Sequence, residues 1–156
     1  MRRTGFWNAV LSVVIIGILI VVAVSFSLSR TWLIGPILLL LGLVPWIPLR
    51  LAGRSIQSTG ADIIFGAIDT GILTIAALIG AGFAGTLGAI VGGAVGDAIT
   101  DALAGLFEGG MAATLRKHGI EEARTPLSSS MGKMSGCLLG AGCTLIIAWS
   151  FLGLPM

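Results

Sequence analysis

The sequence predicts an all-α, polytopic membrane protein of about five transmembrane helices, and three observations carry that prediction. Of 156 residues, 56% belong to the set AVILMFWYC, another 24 are Gly, and 10% are charged, against about 25% charged residues in soluble domains. Five segments meet or approach the length of about 20 mostly apolar residues that crosses a bilayer core of roughly 30 Å. The basic residues, finally, fall almost entirely on one side once those segments are threaded alternately. These features exclude an ordinary soluble enzyme domain, a disordered chain and a coiled coil. A net charge of +2 leaves no electrostatic footprint for nucleic acid, so no nucleic-acid partner is expected.

The chain reads as a single integral membrane domain over residues 1–156. The first span is Phe6–Ser29, uncharged and rich in Val and Ile. It resembles a signal sequence only at Met1-Arg2-Arg3. Its apolar run of about 24 residues exceeds the roughly 7–15 of a signal core, and no clear small-x-small site ends it, so it is read as a retained helix. The second span, Trp32–Leu49, lies between Arg30 and Arg50. Pro36, Pro45 and Pro48 remove backbone donors within it, which predicts a kink or an early end. A short polar linker, Leu51–Gly60, leads to span 3 (residues 61–84), a tight uncharged turn over Gly82–Leu87, and span 4 (86–108). Residues 109–133 form a connection with one short helix stopped at Gly119, and span 5 covers 134–154. Trp7, Trp32, Trp46 and Trp149 lie near span ends, where indoles favour the membrane interface.

With the N-terminus cytoplasmic, Arg2, Arg3, Arg50, Arg54, Arg116, Lys117, Arg124 and Lys133 lie inside and Arg30 alone outside. That bias sets a multi-pass topology in the cell (inner, cytoplasmic) membrane, N-terminus in and C-terminus out. Residues 1–50 are bulky, which suits lipid contact. Span 4 instead carries Gly88, Gly92 and Gly96, and span 5 opens with Gly132, Gly136 and Gly140. Glycines four apart let helix backbones approach closely, so spans 3–5 are expected to form the small-residue-packed core.

The acids are the most informative residues. Asp62, Asp69, Asp97, Asp101 and Glu108 all fall in spans 3 and 4, and residues 61–110 contain no Lys, Arg or His. At 100° per residue, Asp62 and Asp69 lie about 20° apart on one face, and Asp97, Asp101 and Glu108 lie within about 40° on another. That second face is roughly opposite the Gly88/Gly92/Gly96 groove. Because span 3 leaves the cytoplasmic side and span 4 returns to it, Asp62 and Glu108 are expected near the inner interface. Asp69 and Asp101 lie about two turns deeper, and Asp97 lies near the midplane. An Asp at a helix centre costs ~2.5–3.5 kcal/mol on insertion scales, so three deep acids facing lipid would cost of order 8–10 kcal/mol. Compensation comes from protonation, water, backbone donors freed at a helix break, a partner subunit's countercharge or a bound cation. Oxygen-only ligands suit hard cations such as Mg²⁺, Ca²⁺, Mn²⁺ or Na⁺, and Thr70, Thr74 and Thr100 offer further oxygens. The candidate metal set is Asp69, Asp97 and Asp101. The plainer reading is that these acids are protonated or hydrogen-bonded packing elements, or line a wet vestibule.

Other features carry less. Met131, Met134, Cys137 and Cys143 cluster in sequence, but the two cysteines are about 120° apart on a helix and share no face. His118 follows Arg116 and Lys117, a cluster that suits anionic headgroups, while Glu121, Glu122 and Arg124 read as a solvated loop and Ser128–Ser130 as a linker. No nucleophile–base pair, phosphate-binding Gly loop, zinc spacing or haem motif appears, so no enzymatic activity and no cofactor beyond a hard cation is expected.

The stretch Ile68-Asp69-Thr70-Gly71-Ile72-Leu73-Thr74 together with Gly96-Asp97-Ala98-Ile99-Thr100-Asp101 resembles vacuolar iron transporter-like proteins, which use acid-bearing, small-residue helix pairs. The likeness covers under a third of the chain. Here the acidic pair is spans 3 and 4 rather than the first two, and that family's long metal-binding helices are missing, so no residue role is carried over. The expected function is that of a cation transporter or channel (divalent metal, Na⁺ or H⁺), centred on Asp69, Asp97 and Asp101 with Asp62 and Glu108 at its mouth. So short a chain can hardly enclose a polar path alone, so a homo-oligomer or a subunit of a larger membrane complex is expected. The alternative is a non-catalytic assembly subunit whose glycines pack and whose acids pair with a partner.

Overall fold

The computed structural model describes residues 3–117 and 125–153, with side chains described over 5–56, 59–104, 106 and 125–153. The described residues are helical, with no strand among them. In chain order they form α1 (Arg3–Ser27), a 3₁₀ turn (Thr31–Leu33), α2 (Ile34–Leu41), α3 (Trp46–Leu51), a second 3₁₀ turn (Ile56–Thr59), α4 (Gly60–Lys117), α5 (Pro126–Ile146) and a terminal π turn (Ile147–Phe151). Four stretches are long and apolar enough to cross a membrane: Gly5–Ser27, Thr31–Leu51, Gly60–Ala104 and Pro126–Phe151.

The third of these, 45 residues long, is not one rod. Ala84 and Gly85 leave helical geometry, and Gly85 takes φ 57° and ψ −136°, a conformation open to glycine because it has no Cβ to clash. Beyond this break the chain doubles back. Gly88 lies against the backbone of Gly80, Gly92 against Ala76, and Gly96 against Ala76 and Leu73. The stretches 72–83 and 86–96 therefore run antiparallel, with the break inside the tight turn expected between spans 3 and 4.

Two compact units result. A core unit comprises Met1–Gly71 and Pro126–Met156, and a hairpin unit comprises Ile72–Thr125. In the core unit, α5 is the central helix, packed by α1, α2 and α3. Ile16, Leu49 and Met131 form its buried cluster, lined by Val13, Ile20, Val44, Trp46, Leu127 and Met134. The first two sequence spans are thus part of a protein core, and not only a lipid-facing surface as their bulk suggested. The division of labour is finer than one span: in α1, Ala9 and Ile16 are buried, whereas Phe6, Trp7, Leu11, Val14, Ile18, Val21 and Phe26 stay exposed. One stripe at helical spacing binds protein and the rest of the surface remains apolar and open, as a membrane helix requires.

The prolines act as the sequence predicts. Pro45 is the N-cap of α3, and Pro36 and Pro48 lie in first turns, where no intrahelical donor is needed. The break between α2 and α3 is bridged by short-range bonds from Val44 N–H to the Leu41 carbonyl (3.1 Å) and from Trp46 N–H to the Leu43 carbonyl (3.1 Å). The displaced Gly42 carbonyl instead accepts the Ser135 hydroxyl at 2.6 Å. Ser135 in turn accepts the Trp46 indole N–H at 2.9 Å. Trp46 therefore tethers α3 to α5 instead of serving as a free interfacial anchor, and Trp149 is half-buried, whereas Trp7 and Trp32 are exposed.

Glycines set the approach of α2 and of α4 to α5. Gly35 meets Gly142 and Ile146, and Gly42 meets Leu139, so α2 and α5 are antiparallel. On the other side, Gly132 faces Thr59 and Asp62, Gly136 faces Ile63 and Ala67, Gly140 faces Ala67, and Gly71 faces Thr144. Contacts that advance together along both helices make the start of α4 parallel to α5. Helix α5 also begins earlier than the expected span 5. Pro126 occupies its first position, where a missing N–H costs nothing, and the Ser130 hydroxyl donates to the Pro126 carbonyl at 2.7 Å. Residues 126–133 are therefore helix and packing surface, not the linker read from Ser128–Ser130. At the other end of that connection, 109–117 extends α4.

Candidate functional site

Helical repeat and exposure decide which acids are available for chemistry. In the hairpin unit, Gly96 is buried against the opposing arm. Asp97 and Asp101 are both exposed and one turn apart. They can each present a carboxylate oxygen within 4.8 Å of the other. Ala94 and Ala98, three residues before each of them and on the same side of the helix, are exposed, so two carboxylates stand on an otherwise apolar surface.

Thr100 lies between them in sequence but turns the other way. It is 3% exposed, and its hydroxyl donates to the carbonyls of Gly96 (3.1 Å) and Asp97 (3.1 Å). A threonine bonding back to the preceding turn is a packing feature that bends helices slightly. Of the three threonines expected to add oxygens, Thr100 donates to the backbone, Thr70 is half-buried in the core unit, and Thr74 is half-buried in the hairpin unit.

The core unit holds the other two described acids. Asp69 is half-buried on the first arm of α4. Asp62 is 5% exposed, accepts the Ser129 hydroxyl at 3.4 Å, and has its Cβ against Gly132 of α5. The sequence puts Asp62 and Asp69 on one face, and they do share it, but α5 encloses only Asp62. Asp62, expected at the cytoplasmic mouth of the site, is thus buried beside α5. The Glu108 side chain, His118, Glu121, Glu122 and Arg124 lie outside the described residues. Gly88 and Gly92 line the closed seam of the hairpin, and Gly136 and Gly140 that between α4 and α5.

Two features went unread in the sequence. Ser135 sits among glycines at 136, 140 and 142 and carries no motif; only the prolines of span 2 signalled that a carbonyl would need a donor. Gly35 and Gly42, seven residues apart, mark the face of α2 that meets α5, a spacing hidden by the bulk around them. Of the soft-metal candidates, Cys137 is half-buried and Cys143 exposed, and both are free thiols.

Chemically, Asp97 and Asp101 supply at most four carboxylate oxygens. Hard cations take six or more oxygen ligands, so water or further acids would complete a shell. Asp97 and Asp101 could instead share a proton or accept a cationic side chain. No protein-family model matches the chain, and neither curated proteins nor solved structures give a significant match.

Proposed function

We propose that this protein is a five-span membrane protein, N-terminus cytoplasmic, that conducts or transports a cation through a site built on Asp97, Asp101 and Asp69, with Glu108 nearer its cytoplasmic end. The observation that carries the reading is the exposed Asp97–Asp101 pair on an apolar helix. Facing lipid, each charge would cost ~2.5–3.5 kcal/mol. Intramembrane acids of this kind ordinarily face a wet cavity or a partner and mark ion and proton paths. The antiparallel pairing of 72–80 with 88–96 supports two spans in the long α4, because a hairpin returns its second arm to the side from which the first departed. The parallel start of α4 and α5 agrees with an alternating topology in which both helices leave the same face.

The path is completed by further copies of the chain, since 156 residues can hardly enclose a polar path alone. Purified protein in proteoliposomes should pass at least one of H⁺, Na⁺, Mg²⁺, Ca²⁺ or Mn²⁺. The triple variant Asp69→Asn/Asp97→Asn/Asp101→Asn should lose that flux while still inserting. Equal flux in the variant would sink the proposal.

The same outward carboxylates favour one second reading, a membrane-complex subunit whose Asp97 and Asp101 pair with Arg or Lys of a partner helix. It expects no flux from the protein alone, and a co-purifying partner that is lost in Asp97→Asn or Asp101→Asn.

A further inference from the structure

Lys133 is the single charged residue of the membrane-length segment Pro126–Phe151, and the core unit sets it against the acid-bearing helix. Its backbone carbonyl lies at Gly66 of α4, where an added Cβ would stand 2.6 Å away. From there the side chain reaches round α4, and its ammonium stands 6.0 Å from the centre of the Phe65 ring. A ring face attracts an ammonium but carries no charge to neutralise it, and Lys133 is exposed.

Asp69 stands one turn beyond Phe65 on the same side of α4. At 100° per residue it falls between Gly66 and Phe65 around the helix axis, and three residues past Gly66 along it, a rise of about 4.5 Å. Gly66, Phe65, Asp69 and Lys133 all belong to the core unit. Asp62, the other described acid of that unit, is 5% exposed and turned to Ser129 and Gly132 of α5, whereas Asp69 is half-buried. A carboxylate in an apolar span needs a compensating partner, and residues 61–110 contain no Lys, Arg or His. The neighbouring helix supplies one: a compact ammonium on a flexible four-carbon stem.

We propose that Lys133 is a tethered countercharge for Asp69, its ammonium moving between the Phe65 ring and the Asp69 carboxylate and giving way when a cation binds there. The displacement by a cation rests on the transport reading; the pairing does not. Lys133 is therefore a positioning residue that sets how tightly the site holds its cation.

A water-soluble carbodiimide, which joins a carboxylate to an amine in direct contact, tests the pairing on the purified full-length protein in detergent. Peptide mapping of the monomer should find an amide between Lys133 and Asp69, absent from Asp69→Asn and from Lys133→Arg. Lys133 left unjoined in the wild type, or joined to Asp62 instead, would overturn the proposal. In proteoliposomes, Lys133→Gln should lower the half-saturating concentration of whichever of Na⁺, Mg²⁺, Ca²⁺ or Mn²⁺ the wild type passes by about fivefold or more. Lys133→Arg, which keeps the charge, should stay near the wild-type value. Equal half-saturation in wild type and Lys133→Gln would also overturn the proposal. A wild type that passes no cation sinks the transport reading, while the cross-link still decides whether Lys133 and Asp69 pair.

Discussion

The core unit and the hairpin unit solve the same problem with different materials. In the core unit, helices meet through buried side chains: Ile16, Leu49 and Met131 at the centre, and a hydroxyl relay from Trp46 through Ser135 to Gly42. In the hairpin unit, backbone meets backbone, Gly88 on Gly80 and Gly92 on Ala76, and the larger side chains Ile90, Val91, Val95 and Ile99 point away. Lipid tails are as apolar as Leu, so burying apolar area gives no net drive inside a bilayer, and close van der Waals packing and hydrogen bonds must hold helices together. A seam made of backbone consumes no side chains, which leaves the second arm free to carry the exposed Asp97 and Asp101. In the core unit Asp69 is half-buried and Asp62 is enclosed.

The contrast is broken most severely at the hairpin seam. Gly88→Val would drive side-chain atoms into the Gly80 carbonyl, and neither backbone can yield while the turn at Ala84 and Gly85 holds. We expect a loss of about 3 kcal/mol or more, read as failure to recover monodisperse protein after detergent extraction. Gly82→Ala, where an added Cβ meets nothing within 4 Å, should extract normally. Equal behaviour of the two variants would show that the seam is not a close backbone contact.

A smaller effect is expected in the core unit. Ser135→Ala removes both the donor to Gly42 and the acceptor for Trp46, stranding polar groups in a buried site. The cost should be about 2 kcal/mol, measured as a shift in the denaturant or thermal midpoint, with α2 and α3 the first segments to gain amide exchange. An unchanged midpoint would mean that the relay contributes nothing beyond geometry.

The smallest effect sharpens the comparison. Asp97→Asn/Asp101→Asn touches no packing contact, so stability should stay within about 0.5 kcal/mol of wild type even where flux is abolished. A large loss of stability would instead make these acids structural and move the balance to the partner-pairing reading.

Much of the fold is legible in particular residues. Pro45 and Pro48 mark the interruption of the second span, because proline has no N–H to donate, and the structure breaks α2 from α3 there. The uncharged Gly82–Leu87 stretch marks the hairpin, and the break falls on Ala84 and Gly85. The exposure of Asp97 and Asp101 agrees with a position on the helix away from Gly88 and Gly92, once the glycines are taken as the seam. Legibility fails where the neighbour matters. Asp62 and Asp69 are equivalent by periodicity, yet Asp62 is enclosed and Asp69 half-buried, because α5 begins at Pro126 and lays Gly132 beside the first of them.

By itself, then, the sequence determined the apolar composition, the presence of several helices long and apolar enough to cross a membrane, the positions of the breaks, and the face of its own helix on which each acid lies. Those properties are local: hydropathy, missing donors and the helical repeat act within about one span of chain. The tertiary structure alone decided that α2 is antiparallel to α5, that α4 starts parallel to α5, that Ser135 supplies Gly42, and that Asp62 is buried while Asp97 is not. A helical period specifies a direction around one axis, and what lies in that direction depends on residues more than sixty positions away.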